Sequence, residues 1–191
     1  MRLVDARILV GLGFLLFATS CFMNIWLTDD FSGPQFLWPN IVRAFGQAII
    51  MTPLSVIATA AVPREQAGTA SAIYNMTRNL GGAIGIAVLQ TFLTKREQYH
   101  SNVLMSSVSL FNEATRTRLR ELTRYFLAHG VSDPSLALHE AVVAVGLAVR
   151  HQASIMAYGD SFYLIGVALL LALAASAAFR KIGQGGSSAA H

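Results

Sequence analysis

The sequence predicts an all-α membrane protein of four transmembrane helices, with a helical loop outside the membrane between the third and the fourth. Three observations predict it. The chain has 191 residues, of which 54% are hydrophobic and only 13% charged, against about 25% charged in an ordinary soluble domain. Its apolar residues are gathered into long runs. Most of its basic residues sit at the ends of those runs and in one loop, where they avoid the several kcal/mol that a charge in hydrocarbon costs.

The first run, Ile8 to Leu27, reads ILVGLGFLLFATSCFMNIWL and holds no charge. At 1.5 Å per residue it reaches about 30 Å, one hydrocarbon core. A signal peptide is the rival reading, since ATSC at 18–21 has the form of a lipoprotein cleavage site. Against it, Asp5 lies in what should be a basic leader, and the apolar run continues past Cys21.

The second span is expected over 37–62 and carries Arg43, Gln47 and Pro53. The third is expected over 69–94, with Asn75, Arg78, Asn79 and three glycines. The fourth, over 161–180, ends at Arg180-Lys181, and the GQGGSSAAH tail has the composition of a flexible linker.

These spans divide the chain into four parts. Residues 1–94 hold the first three transmembrane helices, and 95–159 form an extracytoplasmic helical loop. Residues 160–181 hold the last span, and 182–191 a cytoplasmic tail. Within the loop, Asn112 is placed to cap a helix in which Thr115, Leu119, Leu122 and Phe126 form an apolar stripe. Gly130 should end it. Asp133-Pro134 should start a second helix, reaching 157, as cap and first helical residue. The apolar stretch inside it, 141–149, is too short to span.

Orientation follows from Lys and Arg in the short loops. Arg2 and Arg7, Arg64, and Arg180 with Lys181 put both termini and the 63–67 loop in the cytoplasm. The loop between the first two spans carries Asp29 and Asp30 and no basic residue.

The third span concentrates the candidate functional residues. Ser71, Asn75, Arg78, Gly82, Gly85 and Leu89 recur at steps of four and three and share one helix face. An arginine at that depth must face protein or water rather than lipid. Arg78 therefore reads either as a residue lining a substrate pathway or as a structural arginine bonding a neighbouring helix end. The glycines, spaced GxxxG at Gly81 and Gly85, would admit a close helix contact. Asn40, Arg43 and Gln47 share a face of the second span, again as cavity lining or as packing.

Asp160, at the outer entry of the fourth span, is a possible outer-gate acid. The first three spans contain no Asp, Glu or His, so groups able to carry a coupled proton are missing from them. No catalytic residues are expected, since no Ser/His/Asp arrangement, paired carboxylates or phosphate-cradling loop is present. The one cysteine and five scattered histidines offer no metal-ligand spacing. No cofactor is expected. No basic cluster interleaved with aromatics points to nucleic acid.

The stretch VPREQAGTASAIYNMTRNLGGAIGIAVLQ at 62–90 resembles the penultimate helix of the fourteen-helix drug:proton antiporters of the EmrB/QacA type in the major facilitator superfamily. The matching residues are Pro63, Gly68, Ala70-Ser71, Asn75, Arg78, Gly81-Gly82 and Gly85. WPNIVRAFGQAIIMTPL resembles that family's preceding helix, and QASIMAYGDSF its approach to the last span. The resemblance covers about 1–182 and implies the last four helices of a major facilitator fold in a bacterial inner membrane. It implies a portion of a multidrug efflux transporter, one that is not active alone. The alternative is a small non-transporting membrane scaffold or assembly partner. The partners implied are the lipid bilayer, the transporter's N-terminal helices or another membrane subunit, and a periplasmic adaptor protein.

Overall fold

The computed structural model describes residues 6–29, 33–60, 63–109 and 111–178. Arg2, Asp5, Asp30, the end of the second expected span, Arg180, Lys181 and the tail lie outside the described residues, as do the side chains of Arg7 and Arg64. Five α-helices follow in order: α1 (Ala6–Met23), α2 (Gly33–Ala60), α3 (Ala67–Ser107), α4 (Glu113–Ala128) and α5 (Pro134–Ala178). A 3₁₀ turn, Arg64–Gln66, leads into α3. No strand occurs among the described residues.

Three boundaries differ from the sequence expectation, each for a local reason. The first helix ends at Met23 rather than Leu27. There the Asn24 amide Nδ2 donates to the Ser20 carbonyl at 3.0 Å and the Asn24 backbone N–H to the Cys21 carbonyl at 3.0 Å. Asparagine side chains offer the backbone this alternative to a further helical turn.

The third helix does not stop at 94 but runs 41 residues to Ser107. Lys95, Arg96 and Glu97 are good helix formers, so a charge run leaving hydrocarbon need not break a helix. The second loop helix and the fourth span are one helix of 45 residues. Between them stands a single glycine, Gly159, with no proline, and one glycine costs only about 1 kcal/mol. The apolar stretch 141–149 therefore lies inside a long helix rather than in a separate short one.

Elsewhere the punctuation acts as its chemistry dictates. The Asn112 side chain accepts the Ala114 N–H at 3.0 Å and caps α4. Gly130, at φ +107°, sits just past the end of α4, and the Val131 N–H reaches back to the Phe126 carbonyl at 3.1 Å. This is the Schellman closure that glycine favours. At the start of α5 the Asp133 carboxylate accepts both the backbone N–H and the hydroxyl of Ser135. The Ser135 N–H is the main cause holding this carboxyl below the usual aspartate range.

The described residues fall into two compact units. The first comprises the described parts of 1–26, 30–89 and 161–191. Its α1–α2 contact is built on two glycines. A Cβ added at Gly13 would lie 2.5 Å from Ile50 Cγ1 and 2.9 Å from the Gly46 carbonyl oxygen. One added at Gly46 would lie 2.8 Å from the Phe17 backbone nitrogen. Val10, Ala18, Cys21 and Ile50 are buried around this contact. On α5, Gly166 leaves room for the Phe22 ring, which also meets Tyr163 edge-on at 6.1 Å.

The second unit comprises 27–29 and 90–160. Its core is Leu119 of α4 together with Ala137, Ala141, Val149, Ala153 and Ala157 of α5. These α5 positions are four or eight residues apart and form one buried stripe. A cavity of about 220 Å³ remains among Met105, Val108, Thr115, Leu119, Val142, Val145 and Gly146. The arginines of α4 stay at the surface and pair locally, Arg118 with Glu121 at 3.4 Å and Arg120 with Glu113 at 3.3 Å. Such exposed pairs add little stability.

Among the described residues, one helix is long and apolar enough by itself to cross a membrane, Pro134–Ser176, and Ile8–Met23 is a shorter apolar helix.

Candidate functional site

In the first unit, the expected pathway residues line exposed faces. Arg43 and Gln47 of α2 and Arg78 of α3 are exposed. Asn75 is exposed too, and its Nδ2 donates to the Ser71 carbonyl at 3.0 Å, one turn back on the same helix. These residues make no bond to one another in the structure described. From Ala72 to Val88 every residue of α3 except Tyr74 is exposed.

Gly82 and Gly85 do lie at one site. With Phe17, Ile86, Leu89, Leu164, Ile165 and Leu169 among its walls, they line an apolar cavity of about 790 Å³. Among the described residues no close helix contact is made at these two glycines. A Cβ added at Gly81, Gly82 or Gly85 meets nothing within 4 Å. GxxxG spacing permits close approach without compelling it. The glycines that actually serve a tight helix pair are Gly13 and Gly46.

Asp160, the possible outer-gate acid, is paired in the structure. It lies in the second unit, where its Oδ2 accepts from Arg96 Nε at 2.7 Å and meets His100 Nε2 at 2.6 Å. His100 is buried, while Arg96 and Asp160 are about one-third exposed. The Tyr99 ring completes the cluster, with the Arg96 guanidinium 5.0 Å from its centre and the His100 ring edge-on at 5.5 Å. Arg96 and His100 stand four residues apart, so both point from one face of α3.

Sequence reasoning missed this cluster because it ended the third helix at 94, which left Arg96 and His100 in a loop. The detectable signal was the four-residue spacing of two basic side chains on a helix that nothing interrupts.

The described residues are helical, without a strand, and one helix among them is long and apolar enough to cross a membrane. Residues 2–86 match the Major Facilitator Superfamily. Over 122 residues the chain is 30% identical to the multidrug export protein EmrB of Escherichia coli, which covers 62% of this chain and 23% of that protein. It is 29% identical over 134 residues to the colistin resistance protein EmrB of Acinetobacter baumannii, covering 70% of this chain and 26% of that protein. It is 38% identical over 93 residues to the cephamycin export protein CmcT of Amycolatopsis lactamdurans, covering 48% and 19%. No solved structure matches the chain. Over residues 2–86 the chain is thus similar to the Major Facilitator Superfamily, and these relatives are named as export or resistance proteins. It spans about a quarter or less of the length of these relatives.

Proposed function

We propose that this chain is the C-terminal portion of a proton-driven multidrug exporter of the bacterial inner membrane and supplies four of its transmembrane helices. The observation that carries the reading is the similarity to EmrB of Escherichia coli, a multidrug export protein. The spans are α1, α2, the first part of α3 up to about residue 94, and the last part of α5 from about residue 161. The polar groups Arg43, Gln47, Asn75 and Arg78 keep α2 and α3 from being apolar all round. A helix that turns one face to a protein cavity has no need to be.

In this reading Arg43, Gln47, Asn75 and Arg78 face the substrate pathway, and the apolar cavity beside Gly82 and Gly85 is part of it. Transporters of this architecture work by rocking two helical bundles about a midplane site, and these helices belong to one bundle. The segment 95–159, with its exposed arginines on α4, lies on the outer side, where a periplasmic adaptor protein can dock.

The topology has a direct test. Reporter fusions at Gly33, Gln66 and Ser132 are expected to read outside, inside and outside, and an inside signal at Ser132 overturns the arrangement.

The function is tested by a chimera. The matching stretch of this chain replaces its 122-residue counterpart in Escherichia coli EmrB, and dye export is measured in cells without other pumps. The chimera is expected to export, and Arg78→Ala within it to cut the rate at least tenfold, a loss of about 1.4 kcal/mol of transition-state stabilisation. A folded chimera that exports nothing, or that ignores Arg78→Ala, refutes the assignment.

A further inference from the structure

We propose that His100, held against Asp160 with Arg96 on the same carboxylate oxygen, is a proton-binding site of this chain. The site lies wholly within the second unit, on α3 and α5. It provides the titratable group that the first three expected spans lack.

The geometry fixes which atoms act. Asp160 Oδ2 already accepts a hydrogen bond from the permanently charged Arg96 at 2.7 Å. An arginine so placed keeps the carboxylate ionised, and an ionised carboxylate only accepts hydrogen bonds. The 2.6 Å contact with His100 Nε2 therefore places the ring proton on Nε2, where it is donated to Oδ2. The lone pair is left on Nδ1.

An incoming proton from water forms one new bond, Nδ1–H, and breaks none within the protein. The cluster passes from Arg⁺/His⁰/Asp⁻ to Arg⁺/His⁺/Asp⁻, and the ring becomes an imidazolium beside a carboxylate, a charge-assisted bond stronger than the neutral one. Histidine is the side chain suited to this, because its charge changes near physiological pH.

On α3 itself the part-buried Glu97 stands three residues before His100 and makes no ion pair among the described residues. Tyr99 presents its ring to both Arg96 and His100. The described charged side chains of α4 are exposed, with their ion pairs made within α4. Asp29 of the 27–29 segment lies against His151 at 3.4 Å. The carboxylate in bonding contact with His100 is Asp160. His100 keeps 11% of its side-chain surface open, enough for exchange with solvent while the ring stays held.

The use of such a proton in export rests on the reading of the chain as part of a proton-driven exporter. Proton binding itself does not, so the two are tested apart. The full chain is prepared in lipid nanodiscs with ¹⁵N-labelled imidazoles and with His129, His139, His151 and His191 changed to Gln, so that His100 alone reports. Nitrogen spectra are recorded from about pH 8 to pH 5, the interval in which histidines change charge.

The expected result is a single tautomer with the proton on Nε2 at the alkaline end, gaining one proton on Nδ1 as the pH falls. Asp160→Ala is expected to lose the fixed tautomer and give a mixture, while Arg96→Lys retains it. A neutral ring protonated on Nδ1, a ring that stays neutral throughout, or an unchanged tautomer in a folded Asp160→Ala chain overturns the site. Failure of dye export in the chimera, with these spectra as expected, would refute the exporter and leave the proton site standing.

Discussion

Cells stripped of their own efflux pumps and expressing this chain alone are expected to retain a fluorescent drug-like dye as fully as cells carrying an empty vector. A full-length EmrB relative in the same cells should clear it. Alternating access requires two bundles that enclose a midplane site. In this chain the proposed pathway residues Arg43, Gln47, Asn75 and Arg78 are all exposed. The cavity beside Gly82 and Gly85 is walled by apolar side chains alone. A charged side chain at membrane depth with no protein cover costs about 3 kcal/mol on insertion scales, and the proposed topology would put Arg43 and Arg78 in that position. The chain can insert and yet have nothing to hold a substrate against. Proton-dependent clearance by this chain alone, abolished by Arg78→Ala, would show instead that a four-helix assembly transports.

The second large effect is structural. Gly46→Leu is expected to destabilise the α1–α2 pair by about 3 kcal/mol, the upper range for overpacking a tight contact. The reason is geometric. Even the first carbon of a side chain at Gly46 would lie 2.8 Å from the Phe17 nitrogen and 3.0 Å from the Gly13 carbonyl oxygen. These are backbone atoms, which cannot rotate aside. Gly82→Leu is the control, since a Cβ there meets nothing within 4 Å, and it should leave the melting temperature of the isolated chain unchanged. Thermal unfolding in detergent measures both. Equal losses in the two variants would show that the close contact is not on α1 and α2. In the EmrB chimera, loss of assembly from Gly82→Leu would locate a further helix against that glycine.

What could be read from the sequence follows the range of the interactions involved. The start and end of α4 were legible because Asn112, Gly130 and Asp133-Pro134 act on backbone groups one to five residues away. The continuity of α3 and α5 was not. Lys95-Arg96-Glu97 signals where hydrocarbon should end, and that polarity boundary carries no instruction to the helical backbone. Reading it as a break separated Arg96 and His100 from their helix. The cluster at Asp160 then had no way to be seen, since its partners are 60 and 64 residues away in sequence. The glycines show the same limit. Sequence spacing made Gly82 and Gly85 eligible for a close contact, and so were Gly13 and Gly46. Only the fold reveals which pair another helix approaches.

The alanines of α5 have a consequence for alignment along the helix axis. Ala137, Ala141, Ala153 and Ala157 are each fully buried, and they recur every four residues or a multiple of four. A comb of small apolar teeth, with Val149 the one larger tooth of the buried stripe, still fits fairly well after sliding by one tooth, here four residues or about 6 Å. Packing of that kind holds a helix sideways but leaves its lengthwise position nearly degenerate. A vernier mark is needed, and the carboxylate of Asp160 supplies one. Only one setting of α5 puts that oxygen within bonding distance of both Arg96 and His100.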